Sequence, residues 1–290
     1  LINKKSQIYK QKTLKKSVSL EGIGLFTGQQ TAIELCPVNE NSGITFQRVD
    51  LTDQPLIPAS LESVKGTSRC TLIGNNKVTI QTVEHLLSAL GAYQIDNLLI
   101  KVKGPEIPAI DGSSDGFVEL IEKAGVAPIN SNKEIHSIKS PFFWSEKEVY
   151  IIALPADEYR ISYTLHYPHS SFLRAQYFSC PITSQKYKKE IAPSRTFSLY
   201  EEIEPLLQKS LIKGGGLNNA VIIKEEKIMN PEGVRFPEEM ARHKVLDLIG
   251  DLSLIGIPFL AHIVAIRSGH YSNISFAKKF LEHITKEICS

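Results

Sequence analysis

The stretch EEMARHKVLDLIGDLSLI, from Glu238 to Ile255, decides the fold. Val245, Leu246, Ile249, Leu252 and Ile255 recur at helical spacing, so one face of a helix is apolar and must be buried. Three residues that should avoid a core, His243, Asp247 and Asp251, stand four apart and line a single edge of that helix. His243 and Asp247 form HxxxD, a spacing from which both side chains reach one metal ion. The plainer reading is a solvated polar edge, with Asp247 and Asp251 pairing with Lys244 or Arg242. On this stretch alone the plainer reading is preferred, and a metal site needs a second stretch.

That stretch is TVEHLLSAL, Thr82 to Leu90. Thr82 is expected to cap a helix whose apolar face carries Leu86, Leu87 and Leu90. Glu84 and His85 then sit in the first turn of a mostly buried helix. Alone, His85 reads as a hydrogen-bonded core histidine and Glu84 as a carboxylate favoured by the helix dipole. If His85, His243 and Asp247 converge, they form a His₂-carboxylate set with one position left for water, the pattern of a catalytic zinc. Glu84 beside His85 mirrors HExxH, in which a Glu next to a ligand His serves as general base.

Other residues fit around such a centre. His270 follows Gly269 at a helix start, and Asp251 could hold its imidazolium by a charge-assisted hydrogen bond. A cation there would stabilise an oxyanion or protonate a leaving amine. Thr196, after Pro193, could donate its hydroxyl to the same oxyanion, or be an ordinary turn threonine. Lys244 could bind a phosphate or hydroxyl, or be a solvated helix lysine. His136, His166, His169, His262 and His283 lack a partner pattern and read as structural or surface residues.

The 290 residues are 42% hydrophobic and 22% charged with a net charge of +2, so composition shows no bulk bias towards nucleic acid or membrane. No apolar run reaches membrane-span length and no signal peptide is visible. The chain starts at Leu1 rather than Met, so a few residues are expected to be missing. Lys4, Lys5, Lys10, Lys12, Lys15 and Lys16 read as a solvated arm or first strand. Cys36, Cys70, Cys180 and Cys289 are scattered without a CxxC, which points to free thiols in a cytosolic protein.

In chain order, strands are expected within Val18–Cys36, at Ile44–Val49 and at Arg69–Ile73, with a turn at Gly74-Asn75-Asn76 before Val78–Ile80. A strand at Asn97–Val102 and a helix at Asp115–Lys123 follow. Ala124 to Lys133 is the best linker candidate, being polar with Gly and Pro. Strands are then expected at His136–Trp144, Glu148–Leu154, Tyr159–His166 and Leu173–Cys180. Tyr200–Lys209 has helical spacing, Ala220–Ile223 and Glu226–Met229 form a hairpin, and a strand at Phe259–Ile266 precedes a helix at Ser275–Ile288. The runs from Glu84-His85 and from Arg242-His243 both read helix, strand, glycine turn, helix. His85 to Gly112 is 27 positions and His243 to Gly269 is 26. This parallel predicts an α+β protein of two similar domains, residues 1–128 and 129–290, related by a pseudo-twofold duplication. Each would be a mainly antiparallel sheet with two helices, the helices packed between the sheets.

TVEHLLSAL, IDNLLIKVKGPEIPAIDGS at Ile95–Ser113, SRTF at Ser194–Phe197, RHKVLDLIGDLSLIG at Arg242–Gly256 and SGHYSN at Ser268–Asn273 together resemble the UDP-3-O-acyl-N-acetylglucosamine deacetylases, zinc amidases of lipid A biosynthesis. The resemblance runs from about Leu14 to the last helix. It implies removal of the N-acetyl group from a UDP-sugar bearing a 3-O-linked acyl chain, by a cytoplasmic enzyme with one zinc ion per chain. It implies His85, His243 and Asp247 as ligands and Glu84 as general base. It also implies His270 as cationic partner oriented by Asp251, Thr196 at the oxyanion, and Lys244 and Phe197 in contact with substrate. An insert at about 200–233 would form a hydrophobic passage for the acyl chain from Ile203, Leu206, Leu207, Leu211, Ile212, Val221 and Ile222. The expected partner is this small molecule alone, with no nucleic acid and no stable membrane insertion, and the chain is expected to be a monomer. One departure stands out: the family's Gly-Leu-His-Thr-Gly pattern is here Gly24-Leu25-Phe26-Thr27-Gly28, and Phe26 cannot supply an imidazole hydrogen bond. Alternatives are a zinc amidase on a different acylated amino sugar, a phosphoryl-transfer enzyme using Gly214-Gly215-Gly216, and a non-enzymatic two-domain binding protein.

Overall fold

The computed structural model describes residues 7–289. The first half builds a five-stranded sheet from β2 (Val18–Ile23), β3 (Gln30–Pro37), β4 (Ile44–Arg48), β5 (Leu56–Pro58) and β9 (Leu98–Lys103), in the order β2-β3-β9-β4-β5. Every neighbouring pair is antiparallel except β4 with β9. In β3 alternate residues are buried, the signature of a sheet with one covered face. Helices α1 (Glu84–Ala92) and α2 (Asp115–Ala124) flank β9 in the chain. A smaller sheet joins β6 (Val64–Gly66), β7 (Leu72–Gly74) and β8 (Thr79–Ile80). The turn between β7 and β8 falls where Asn75 and Asn76 predict it, and the Asn75 side chain accepts from the N–H groups of Lys77 and Val78.

The second half repeats the plan strand for strand. Strands β11 (Phe142–Glu146), β12 (Val149–Leu154), β13 (Arg160–His166), β14 (Ala175–Pro181) and β19 (His262–Ile266) lie in the order β11-β12-β19-β13-β14. Again only the third and last strands of the set, β13 and β19, run parallel. Helices α5 (Glu239–Ser253) and α6 (His270–Cys289) flank β19 as α1 and α2 flank β9. On this repeat we propose residues 1–128 and 129–290 as the two units. The fold class is therefore α+β, as expected.

The helices form the middle layer. α1 packs on α5, α2 on β2, α5 on β13 and β14, and α6 on β11 and β12. One contiguous apolar core runs through both halves. α1 and α5 approach closely because glycines stand at the crossing: a Cβ on Gly250 would lie 2.1 Å from the carbonyl oxygen of Glu84. Val245, Leu246, Ile249, Leu252 and Ile255 are all buried, as their spacing requires. The polar edge is buried too, since α5 is covered by α1 on one side and by the second sheet on the other.

Three local expectations are corrected. Ala124–Lys133 is no linker: β10 (Val126–Ser137) pairs antiparallel with β1 (Gln7–Leu14) and, at its far end, parallel with β18 (Phe259–Leu260). Its polar residues are used along that ladder, Asn130 accepting from Lys10 and Lys133 pairing with Asp96. Lys10 and Lys12 thus lie in a first strand, while Lys4 and Lys5 fall outside the described residues. Thr82 is not a helix cap. Val83 occupies that position, and Thr82 adopts φ 59° with its hydroxyl donating to Glu106. α6 starts at His270 rather than Ser275.

The insert after Ser194 consists of β15 (Phe197–Leu199), α4 (Tyr200–Gln208), β16 (Val221–Lys224) and β17 (Lys227–Ile228). β15 pairs parallel with β16, which pairs antiparallel with β17. A short helix α3 (Ser184–Lys186) and a wide turn at Tyr187–Ile191 precede it. Among the described residues, no helix is long and apolar enough to cross a membrane.

Candidate active site

α1 and α5 bring three ligand-type side chains together. His85, His243 and Asp247 are buried, and each offers one atom such that all three atoms lie within 4.8 Å of one another. Nε2 of His243 is 3.3 Å and Nε2 of His85 is 3.7 Å from Oδ1 of Asp247. The imidazole centroids stand 5.0 Å apart at 82°. Nδ1 of His243 donates to the Ser194 carbonyl at 3.0 Å, which leaves Nε2 as the lone-pair nitrogen facing the centre. Burial lowers both histidines, His85 to about 3, so both imidazoles are neutral and can ligate.

Asp247 is the only carboxylate of the three. Burial opposes its ionisation, but Lys244 and His243 outweigh that and hold it well below the ordinary range. Lys244 Nζ donates to Oδ2 at 2.7 Å. Oδ1 is buried with no hydrogen-bond partner. An orphaned carboxylate oxygen facing two neutral imidazole nitrogens is costly unless a cation completes it, so these residues fit a divalent metal.

Glu84 and His270 line the cavity beside this trio. Oε1 of Glu84 is 3.7 Å from Nε2 of His270, and Oε2 accepts the Thr71 N–H at 3.0 Å. Burial pushes the Glu84 carboxyl up to about 8, against the pull of His270. Burial lowers His270, but Asp251, Asp247 and Glu84 outweigh it and raise the imidazole to about 9. Nδ1 of His270, at the start of α6, donates to Asp251 Oδ2 on α5 at 2.9 Å, the charge-assisted bond expected for this pair. Asp251 is fully buried and also accepts from Asn273 and from the Thr71 hydroxyl. Of the plainer pairings, Asp247 with Lys244 occurs, but Asp251 pairs with neither cation, because Lys244 is held by Asp247 and Arg242 by Glu190 and Glu238.

Thr196 and Phe197 line the same cavity of about 480 Å³, together with Lys244, Glu84, His85 and His270. Their strand is held by Arg195, a buried guanidinium bound to the buried carboxylate of Glu239 at the start of α5. The first half contributes as well: the Gly112 carbonyl accepts from the Thr196 N–H at 2.8 Å. Gly112 sits at φ 80°, and a Cβ there would lie 2.0 Å from the Asn219 carbonyl oxygen.

A second cavity of about 380 Å³ opens from the first and is walled by the insert. Of the apolar residues expected to line it, Ile203, Leu207, Ile212 and Ile222 do so. Val221 does not, because neighbouring strand residues point to opposite faces and Val221 is in the core. Leu206 and Leu211 do not line it either. Phe26 lines both cavities. Its backbone N–H donates to Glu106, whose carboxylate also holds Thr27 and Thr82. The Gly214 run is no phosphate loop: a Cβ on Gly214 would lie 2.1 Å from the Gly24 carbonyl oxygen, so this glycine serves close packing. All four cysteines are free.

Sequence reasoning missed Thr71, Glu106 and Arg195. Arg195 lies inside the quoted SRTF, and a lone carboxylate between two prolines in Gly104–Pro108 was a usable sign for Glu106. Thr71 had no local sign.

The family model described as LpxC: UDP-3-O-acyl N-acetylglycosamine deacetylase matches residues 11–282. The chain is 46% identical over 273 residues to the UDP-3-O-acyl-N-acetylglucosamine deacetylase of Chlamydia pneumoniae, covering 94% of this chain and 97% of the relative. It is 46% identical over 274 residues to the protein of that name from Chlamydia felis, covering 94% and 98%. It is 43% identical over 277 residues to that of Chlamydia trachomatis serovar L2, covering 96% of each. A match across nearly the whole length of both partners, on a fold that gathers the motif residues into one cavity, places the chain in the UDP-3-O-acyl N-acetylglycosamine deacetylase family.

Proposed function

We propose that the chain hydrolyses the N-acetyl amide of UDP-3-O-acyl-N-acetylglucosamine, releasing acetate and the free amine, as a step of lipid A biosynthesis. The names of its relatives support this reaction. The observation that carries it is the orphaned Asp247 oxygen facing two neutral imidazoles, with Glu84 and His270 beside it and an apolar cavity adjoining.

His85, His243 and Asp247 would hold zinc, the common ion for a His₂-carboxylate set. Zinc bound there supplies a more acidic water and a polarised amide carbonyl. Glu84, lining the cavity next to His85, takes a proton from the attacking water. His270, kept cationic by Asp251, faces the developing negative charge and hands a proton to the leaving nitrogen. Thr196 donates its hydroxyl to the oxyanion. Lys244 neutralises Asp247 and borders the sugar, while Phe197 flanks the acyl chain. The apolar cavity favours an acylated sugar over a plain one.

Metal content and turnover of the purified protein test this reading. One zinc per chain is expected, with deacetylation lost to a chelator and restored by zinc. His85→Ala should lower both metal and rate. Full zinc occupancy and full rate in that variant would falsify the ligand set.

A further inference from the structure

Six residues border both cavities: Leu25, Phe26, Arg69, Thr196, Phe197 and Ser198. Arg69 is the only charged one among them. Its backbone lies at φ 69°, a left-handed conformation that a long side chain rarely adopts. The neighbouring residues hold it there. Cys70 is buried, and Thr71 donates its N–H to Glu84 and its hydroxyl to Asp251. A strained backbone fixed by the residues of the site points to a use for the side chain it presents.

That side chain is exposed, and its one hydrogen bond is a long one, 3.4 Å from Nη2 to the Glu202 carbonyl of α4. A guanidinium carries five N–H donors in a fixed fork, so Arg69 has donors to spare at the junction. Resting on the acylated sugar being the substrate, the reacting amide lies by the histidines and the hydrocarbon in the apolar cavity. The group that must pass the junction is the ester linking them. Its carbonyl oxygen is the acceptor such a donor fits, and Thr196 is already assigned to the amide.

We propose that Arg69 is a specificity-determining residue that hydrogen-bonds the carbonyl oxygen of the 3-O-acyl ester where the chain leaves the sugar. The contact selects an ester-linked acyl group at that position.

The test compares affinity for two UDP-sugar analogues, one with the 3-O-acyl ester and one with an ether of equal chain length. Calorimetry on the zinc-loaded protein is the readout. The native protein should prefer the ester by about 10- to 100-fold, the range of a hydrogen bond to a charged group. Arg69→Met should abolish that preference, and Arg69→Lys, which keeps the charge with fewer donors, should keep part of it. Zinc content and thermal midpoint check that each variant is folded. A preference unchanged in both variants overturns the proposal, as does a native protein that binds ester and ether equally. A native protein that binds both analogues without cleaving the acetamide overturns the reaction instead, and the ester preference still decides the role of Arg69.

Discussion

Glu84 and His270 lie 3.7 Å apart and share a neighbour in Thr71, yet they are assigned opposite duties. Removing the proposed base should leave His85, His243 and Asp247 in place. Glu84→Ala is therefore expected to keep its zinc while kcat falls by about 10²- to 10⁴-fold, read by steady-state kinetics beside metal analysis. Loss of zinc from that variant would make Glu84 a structural carboxylate. His270→Gln should lower kcat at unchanged zinc, and normal turnover would remove His270 from the mechanism. At this scale the site was legible where chemistry leaves a pattern. His243, Asp247 and Asp251 share one edge of α5 by helical spacing, whereas His85 on α1 stands out only beside that edge and the family resemblance. Thr71 did not, because its value lies in one N–H and one hydroxyl that reach Glu84 and Asp251 only after folding, the latter 180 positions away. Lys244 was legible as a possible partner of Asp247 three positions on, and the structure forms that pair, though buried rather than on a solvated edge.

The crossing of α1 and α5 is the element on which the site depends. A methyl at Gly250 would meet backbone of Glu84, which cannot rotate away, so Gly250→Ala must push the helices apart. We expect a loss of about 1–3 kcal/mol in urea unfolding together with weaker zinc binding. Gly91→Ala clashes closely with the Ser253 hydroxyl alone, a side chain that can turn aside, its other neighbours lying at 3.7 Å, and should be milder in both measurements. The end of α6 offers a pH test. Glu287 accepts from the N–H groups of Lys139 and Ser140 and from the Ser140 hydroxyl, and pairs with His136. Burial opposes its ionisation, but these donors prevail and hold its carboxyl below the ordinary value. A depressed carboxyl stabilises the fold fully above its unfolded value of about 4.3, and that stability drains away as pH falls through the folded value. Thermal melts of Glu287→Gln should therefore lie below the native protein near neutral pH, and the gap should narrow below about pH 4. Among elements, α5 was legible because its periodicity is local. β10 was not, because Asn130, Ser131 and Lys133 read as loop until β1 lies alongside.

In the molecule as a whole, the three residues proposed to hold zinc come from both halves, His85 from α1 and His243 with Asp247 from α5. Zinc should then stabilise the entire fold, raising the thermal midpoint with zinc concentration as a ligand bound only by the native state does. Calorimetric scans with chelator should show a lower midpoint, and His85→Ala should lose most of the zinc-dependent rise. The repetition of helix, strand, glycine turn and helix was visible from residue spacing around His85 and His243. The strand order of the two sheets was not, since β9 and β19 insert between strands made much earlier and nothing local records that step. β10 has a further consequence. It is bonded to β1 from the beginning of the polypeptide and to β18 from near its end. A cut between Pro128 and Ile129 would not liberate two modules; it would leave both fragments with raw strand edges, prone to stick to each other or to further copies. Split versions of the protein that reassemble are better sought by nicking the exposed bend at Glu146-Lys147, where no ladder is severed.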